Sequence, residues 1–295
     1  MQARLIAYPP DAAAVTRWLE PGERLRIGRG HDCGLVVDHP SVSRAHAELY
    51  HDGEAWRLRD LGSKNGSYAD GIEVRDDRLP ATCWLRLGDS YCEFGLFDPA
   101  QANALRDRQA ERRALSQAMT RQISRQTNSD SLPEQVLRGV IELSGCSRGF
   151  LLLADPVIGD FTVRASIQLD PDKLDTRAFT GSVGAVQRAL SSGNPVVVND
   201  VGSEAWLADR ASVATSGLQT LLCLPLFDGD RVFGAVYADR RGPGTPVTEF
   251  ELELLGAFAE SATLYLLARR AMQSLDAAPR WNSIVAAQAR EGAAL

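Results

Sequence analysis

The 295-residue chain has no apolar run that approaches the ~20 residues needed to cross a bilayer. Its first residues lead into a short apolar run that ends at Pro9 and Pro10, which is unlike a signal peptide. Five cysteines form no C-x-x-C pair, which disfavours both a disulfide framework and a zinc site. These absences predict a soluble cytoplasmic protein with reduced, mostly buried cysteines, without membrane contact, metal or cofactor.

An excess of positive charge is also missing. The chain carries 32 Lys and Arg against 38 Asp and Glu, a formal net charge of -6. This balance argues against nucleic-acid binding through bulk charge. No G-x-x-x-x-G-K-[ST] loop is present, so a P-loop nucleotide site is excluded. The length and the ordinary share of hydrophobic residues, 44%, favour two folded domains.

Residues 1–98 show short alternating runs divided by turn residues, a pattern typical of an all-β sandwich. Hairpin-type turns are expected at Asn65-Gly66 and Asp70-Gly71, among others. The runs predict strands at 4–8, 24–28, 35–38, 45–50, 55–60, 83–87 and 91–97.

Residues 99–128 contain no glycine and are rich in Ala, Arg, Gln and Leu, which predicts a helical linker. Leu105, Leu115, Met119 and Ile123 form an incomplete apolar stripe along it. The stripe fits a solvated connecting helix, or a helix that pairs in parallel with a second copy.

Residues 129–272 combine apolar strand-like runs with helices before and after them, which predicts an α+β domain. Capping boxes at Ser131 to Glu134 and at Thr248 to Glu251 open its first and last helices. The last helix is expected to end near Met272, followed by a weakly specified tail at 273–295. Strands are predicted at 149–154, 161–167, 195–199, 218–227 and 231–239, and a further helix at 182–192.

Three stretches of the first domain are rich in hydrogen-bond donors, and each lies between predicted strands. They supply the positive charges of Arg29, Arg44 and Lys64, the hydroxyl of Ser43 and the amide of Asn65. Convergent cationic and hydroxyl donors suit a phosphate monoester, which carries nearly two charges at neutral pH. The stretches are Ile27-Gly28-Arg29, Ser43-Arg44-Ala45-His46 and Gly62-Ser63-Lys64-Asn65-Gly66.

The order and spacing of these stretches, with Asp60-Leu61 before the third and Asp70-Gly71 after it, resemble a forkhead-associated (FHA) domain. This family is a sandwich that binds phosphothreonine peptides. The resemblance implies that Arg29 and Ser43 bind phosphate and that Arg44 supports them from the same loop.

The same resemblance implies that Asn65 holds the peptide backbone and that Gly28 and Gly66 shape the chain. It gives His46 a bracing role between the loops. Lys64 stands where many family members carry Ser or Thr. Its longer arm could reach the phosphate or an acidic side chain of the peptide.

Residues 130–272 resemble a GAF domain, which in relatives binds small ligands or dimerises. The resemblance rests on Leu224-Pro225-Leu226, the run from Val232 to Asp239, and Phe250 at the start of the last helix. The Asn-Lys part of the family's cyclic-nucleotide constellation is not found at a suitable place. Cyclic-nucleotide sensing is therefore disfavoured.

Together these features predict a non-catalytic signalling adaptor and homodimer that binds a threonine-phosphorylated kinase or kinase substrate, and whose GAF domain dimerises or senses a small ligand. The alternative is a transcription regulator or regulatory subunit without its own output domain. A hydrolase that uses Ser43 with His46 or Asp60 is disfavoured, because arginines around a serine suit an anionic ligand better than general-base activation.

Overall fold

The computed structural model describes residues 1–9, 12–125, 131–155, 159–170, 181–199 and 219–277. Over these ranges the chain forms a β-sandwich, a connecting helix and an α+β domain. The predicted multi-domain fold class is confirmed.

The N-terminal sandwich consists of two facing sheets. The first has the strand order β2-β1-β11-β10-β7-β8 and the second β4-β3-β5-β6-β9. Successive side chains of a strand point to opposite faces, and one face of each sheet is turned inward. The residues fully buried between the sheets include Leu5, Ile27, Leu49, Leu58 and Phe94. The strands are Gln2–Tyr8 (β1), Val15–Leu19 (β2), Arg24–Gly28 (β3), Leu35–Val36 (β4), Ala47–His51 (β5), Trp56–Asp60 (β6), Ser67–Ala69 (β7), Ile72–Val74 (β8), Asp76–Arg78 (β9), Thr82–Leu87 (β10) and Ser90–Phe97 (β11).

Strands β2, β7, β8 and β9 were not predicted. The three-residue β9 is fully polar, and Asp76 at its start is held by Arg57 and Arg59 of β6 rather than by apolar alternation. The expected hairpin at Asn65-Gly66 is wrong. These two residues belong to the loop from β6 to β7, which lie in different sheets.

The strand register brings several loops to one end of the sandwich. In the second sheet Ala47 lies opposite both Ile27 and Asp60, so β3 and β6 end where β5 begins. In the first sheet Tyr8 lies opposite Tyr91, so β1 ends where β11 begins. The loops that follow β1, β3, β4, β6 and β10 therefore leave from the same end.

The C-terminal domain is built on an antiparallel sheet with the strand order β13-β12-β16-β15-β14. The last helix runs beyond Met272 to Ala277, so the tail begins later than predicted, and residues 278–295 lie outside the described range. The elements are Pro99–Arg125 (α1), Leu132–Ser144 (α2), Arg148–Ala154 (β12), Phe161–Ile167 (β13), Val183–Ser192 (α3), Val196–Val198 (β14), Thr220–Asp228 (β15), Arg231–Arg240 (β16) and Glu249–Ala277 (α4).

The two predicted capping boxes differ in the structure. At α4, Glu251 Oε2 accepts the backbone N–H of Thr248 at 3.1 Å, as a capping box requires. At α2 the helix begins where expected, but Ser131 makes no side-chain cap bond. Its hydroxyl instead accepts from Gln135 Nε2 at 2.8 Å.

Helix α1 packs against the C-terminal domain. Ile123 is buried in the core of that domain and Met119 packs beside it, while Arg113 lies over the ring of Phe250 at 4.8 Å. Met119 and Ile123, the C-terminal part of the apolar stripe, are thus covered by the same chain, whereas Leu115 is exposed. This part of the helix is not solvated as expected, and its pairing with a second copy stays a prediction. No helix in the described part of the chain is long and apolar enough to cross a membrane.

A buried ion pair ties the sheet to α3. Arg148 of β12 is 6% exposed and Asp239 of β16 is fully buried, and Arg148 Nη2 donates to Asp239 Oδ2 at 3.2 Å. Tyr237 donates to the same oxygen at 2.7 Å and accepts the backbone N–H of Ser182 at 3.0 Å. Each member of the network has a partner, which is the condition for burying charge.

Replacing Arg148 by Met should lower the free energy of unfolding by about 3–5 kcal/mol, because Asp239 is left buried without its counter-charge. Chemical denaturation followed by circular dichroism measures this loss. Arg138→Met is the control, since Arg138 forms an exposed pair with Glu134 at 2.8 Å and should cost less than about 1 kcal/mol. Equal losses in the two variants would contradict the assignment.

Candidate functional site

The loops after β3 and β4 are joined by backbone hydrogen bonds. Arg29 N donates to Ser43 O and Gly30 N donates to Arg44 O, both at 2.9 Å. Gly28 makes this approach possible, because a Cβ at residue 28 would lie 2.2 Å from the carbonyl oxygen of Arg44. Arg29 and the Ser43-Arg44 pair are therefore held side by side.

The loop after β6 is attached to the same pair of loops. The hydroxyl of Ser43 accepts the backbone N–H of Lys64 at 3.0 Å. Asn65 Nδ2 donates to the carbonyl of Ser41 at 2.7 Å. Gly66 follows with a φ of 75°, a backbone conformation that favours glycine. The five predicted phosphopeptide-binding residues thus occupy three loops that contact one another.

His46 lies under these loops and is fully buried. Its Nδ1 accepts the backbone N–H of Ser43 at 3.1 Å, and Nε2 lies 3.1 Å from the carbonyl of Gly66. Because Nδ1 accepts, the proton belongs on Nε2, which donates to Gly66. Burial lowers the pKa of His46 below its ordinary value, although Gly66 and Asp60 act in the opposite direction. The imidazole is therefore neutral at pH 7.

Asp60 fixes the loop after β6 from inside. Its carboxylate accepts from the backbone N–H groups of Gly62 and Ser63 and from the hydroxyls of Ser63 and Ser67, at 2.6 to 2.8 Å. Burial alone would raise the pKa of Asp60, but these hydrogen bonds bring the pKa below its usual value. Sequence reasoning missed this anchoring role, although Asp followed by Leu-Gly-Ser carries the signal of an Asx turn.

Ser41 is a second residue that sequence reasoning missed. Besides accepting from Asn65, it accepts the backbone N–H of Asp89 at its hydroxyl, at 2.8 Å. The β10–β11 turn is thereby attached to the loops. A serine in a loop gives no sequence signal of this role, because both partners are distant along the chain.

The positive side chains of the site have no acidic partner among the described residues. Arg29, Arg44 and Lys64 are exposed, and none of them pairs with a carboxylate in the part of the chain that the structure describes. The guanidinium of Arg29 makes one hydrogen bond in this part of the chain, from Nε to the carbonyl of Val42 at 3.2 Å. By contrast, Arg24 of β3 pairs with Glu48 at 3.0 Å.

The arrangement offers no activated nucleophile at Ser43. His46 bonds to the backbone N–H of Ser43 and not to its hydroxyl, and both ring nitrogens are engaged. A serine nucleophile needs a general base at its hydroxyl, and His46 does not occupy that place here. Among the described residues, no three His, Cys, Asp or Glu side chains converge where they could bind a metal ion.

Sequence models of two domain families match the chain. The FHA domain matches residues 25–88 and the GAF domain matches residues 128–266. The chain therefore contains an FHA domain followed by a GAF domain, and the family prediction is confirmed.

Relatives match the FHA region. FHA domain-containing protein FhaB of Mycolicibacterium smegmatis is 34% identical over 93 residues, 31% of this chain and 60% of the relative. FhaB of Mycobacterium tuberculosis is 38% identical over 93 residues, with the same shares. The chain thus spans 60% of the length of these relatives. Among solved structures, an FHA domain studied for its phosphothreonine-dependent interactions is 30% identical, with a TM-score of 0.30. The match covers 33% of this chain and 99% of the solved chain.

The region that matches the GAF domain includes segments 171–180 and 200–218, which lie outside the described residues. The prediction that this domain senses a small ligand stays a prediction.

Stability should depend on pH through His46. Its pKa is lowered from 6.5 in the folded state, so the unfolded chain binds a proton at a higher pH than the folded chain. The free energy of unfolding should therefore fall as the pH drops below ~6.5. Urea denaturation between about pH 7.5 and pH 5 measures this slope.

His46→Gln removes the titrating group and should flatten that part of the profile. His31→Gln, which removes an exposed imidazole from the neighbouring loop, is the matched control. A profile that stays equally steep in His46→Gln would contradict the assignment.

Proposed function

We propose that the chain is a non-catalytic signalling adaptor whose FHA domain binds threonine-phosphorylated segments of a kinase or a kinase substrate. The observation that carries this proposal is the set of cations, Arg29, Arg44 and Lys64, held on joined loops without carboxylate partners among the described residues. A phosphate group supplies the missing charge, since it carries almost two negative charges and three acceptor oxygens at neutral pH.

The hydrogen-bond inventory supports the individual roles. Within the described ranges the terminal N–H groups of Arg29 have no partner, and they suit two phosphate oxygens. Ser43 accepts from Lys64 N at its hydroxyl oxygen, so its own hydrogen remains available for phosphate. Arg44 adds charge from the same loop. Gly28 and Gly66 allow the loop geometry, and His46 braces it.

Asn65 and Lys64 are proposed to contact the peptide around the phosphate. Asn65 uses its side-chain N–H on Ser41, which leaves its oxygen to accept a peptide N–H. Lys64 is exposed and its ammonium is free of ion pairs within the described chain. It is proposed to contact the phosphate or an acidic peptide side chain.

The GAF domain is proposed to dimerise through the outer face of α4. From Leu264 onward, exposed apolar residues follow the three- and four-residue alternation of a coiled-coil seam, with Ala268, Ala271 and Leu275. Leu264 and Leu275 are 67% and 74% exposed. Leu264 also borders an open groove of about 430 Å³ whose walls include Pro195. A second copy would bury this seam, since a ridge beside a groove suits a two-fold contact.

Arg29→Ala should weaken the binding of a phosphothreonine peptide tenfold to a hundredfold, because losing a charge-assisted hydrogen bond costs about 1.5–3 kcal/mol. A phosphothreonine peptide library screened against the full chain gives the peptide, and titration calorimetry gives the affinity. Arg24→Ala is the matched control, because it removes the same charge from β3 outside the site.

The unphosphorylated peptide and a peptide with Glu in place of phosphothreonine should both bind poorly, since they offer less charge and fewer oxygens. Equal affinities of the wild type and Arg29→Ala would show that the site is assigned wrongly.

Leu264→Glu should convert a dimer of the full chain into a monomer, because it places charges along the proposed seam. Light scattering on the full chain measures the mass. Ile72→Glu is the control, since Ile72 is 74% exposed on the sandwich. A wild-type monomer, or a Leu264→Glu dimer, would rule out this interface.

A further inference from the structure

The loop between β1 and β2 of the FHA domain forms backbone hydrogen bonds with the GAF domain. Ala14 N donates to the carbonyl of Val247, and Glu249 N donates to the carbonyl of Ala14, both at 2.9 Å. The pair forms an isolated parallel β-bridge between Ala14 and Thr248. We call the contact of Ala13, Ala14 and Arg17 with residues 247–249 the loop bridge.

The loop bridge supplies a cap for α4. The first N–H groups of a helix have no partner within the helix. At α4, the N–H of Glu249 is taken by the carbonyl of Ala14, which belongs to the other domain. Arg17 adds an exposed ion pair with Glu249 at 3.3 Å. The start of a GAF helix is thus completed by an FHA residue.

The bridge also contributes to the core of the GAF domain. Ala13 is 5% exposed and belongs to the same buried cluster as Val247 and Phe258. Val247 is held from the other side by Asn199, whose Oδ1 accepts the Val247 N–H at 2.7 Å and whose Nδ2 donates to the Val247 carbonyl at 3.0 Å. Removing the FHA loop would expose this cluster.

The loop bridge lies at the same end of the sandwich as the loops that carry Arg29, Ser43 and Asn65. β1 ends at Tyr8, which is paired with Tyr91 directly after the β10–β11 turn. The N–H of Asp89 in that turn donates to Ser41, and Ser41 accepts from Asn65. A continuous set of hydrogen-bonded elements therefore connects the site loops with the strand that leads into the bridge.

We infer that the loop bridge couples occupancy of the FHA phosphate site to the start of α4 in the GAF domain. A phosphopeptide that orders the site loops would hold the Ala14 carbonyl more firmly on Glu249, and by linkage an intact α4 start would favour peptide binding. Because α4 also carries the proposed dimer seam, the coupling would transmit peptide binding to the GAF domain. The inference rests on the proposed phosphopeptide function.

The bridge itself is tested without ligand by hydrogen exchange on the full chain. Ala13→Asp places a carboxylate in the buried cluster and should release the loop, so that the Glu249 amide exchanges at least about tenfold faster. Ala12→Asp is the matched control, because Ala12 is exposed next to Ala13. Exchange of Glu249 that is unchanged in Ala13→Asp would overturn the bridge.

A milder variant covers the case in which Ala13→Asp does not fold. Arg17→Ala removes the exposed ion pair with Glu249 and a hydrogen bond to the neighbouring Thr16 carbonyl. It should speed Glu249 exchange about twofold to threefold. Arg24→Ala breaks the ion pair between β3 and β5 on the surface of the sandwich and should leave the exchange of Glu249 unchanged. Equal exchange in these two variants would also count against the bridge.

The coupling is tested with a phosphothreonine peptide at saturation. In the wild type it should slow exchange at Glu249 at least about threefold, and this effect should disappear in Ala13→Asp or, if that variant does not fold, shrink in Arg17→Ala. If calorimetry shows peptide binding while Glu249 exchange stays the same, the coupling is wrong and the proposed function stands. If no phosphothreonine peptide binds, the proposed function and the coupling both fall.

Discussion

The site depends on one buried, neutral imidazole. His46 accepts the backbone N–H of Ser43 and donates to the carbonyl of Gly66, so a single side chain sets the distance between two loops. A charged residue in this place would be paired with an acid or would add to the positive charge of the loops. A neutral brace fixes the loops and leaves their cations uncompensated. The other anchor, Asp60, turns its carboxylate toward backbone amides and serine hydroxyls.

Much of the fold follows from the sequence, because alternation is a local signal. The strands of the first domain alternate and those of the second are apolar runs. Helix α3 falls within the predicted range 182–192, between its N-cap Ser182 and Gly193. The missed strands are short or lie at sheet edges, where pairing partners and ion pairs such as Asp76 with Arg59 replace apolar alternation. The turn at Asn65-Gly66 was misassigned for a different reason, since β6 and β7 lie in different sheets. Local turn chemistry does not tell whether the next strand joins the same sheet.

The candidate site shows the same division between local and distant information. Residue types and spacing place Arg29, Ser43 and Lys64 on loops, and the structure shows that these loops are joined. The anchoring role of Ser41 was not predicted, because its partners Asn65 and Asp89 are far away along the chain. That of Asp60 was missed although its partners are local. Helix α1 gives a further example. Its stripe left open a solvated helix or pairing with a second copy, and the structure packs Met119 and Ile123 on α2 and α4 of the same chain.

The junction between the domains determines what kind of signalling is physically available. Two domains on a flexible linker influence each other only through effective concentration. Here α1 is packed on the GAF domain, and an FHA carbonyl caps a GAF helix. An energetic coupling requires such shared contacts, because a ligand shifts an equilibrium only if it changes contacts that differ between the two states. The Ala14 carbonyl is such a shared contact, since Ala14 directly precedes β2 of the sandwich and its carbonyl accepts the first N–H of α4. The domain that carries the proposed phosphate site and the GAF domain are therefore connected by a group that every residue has, the peptide backbone.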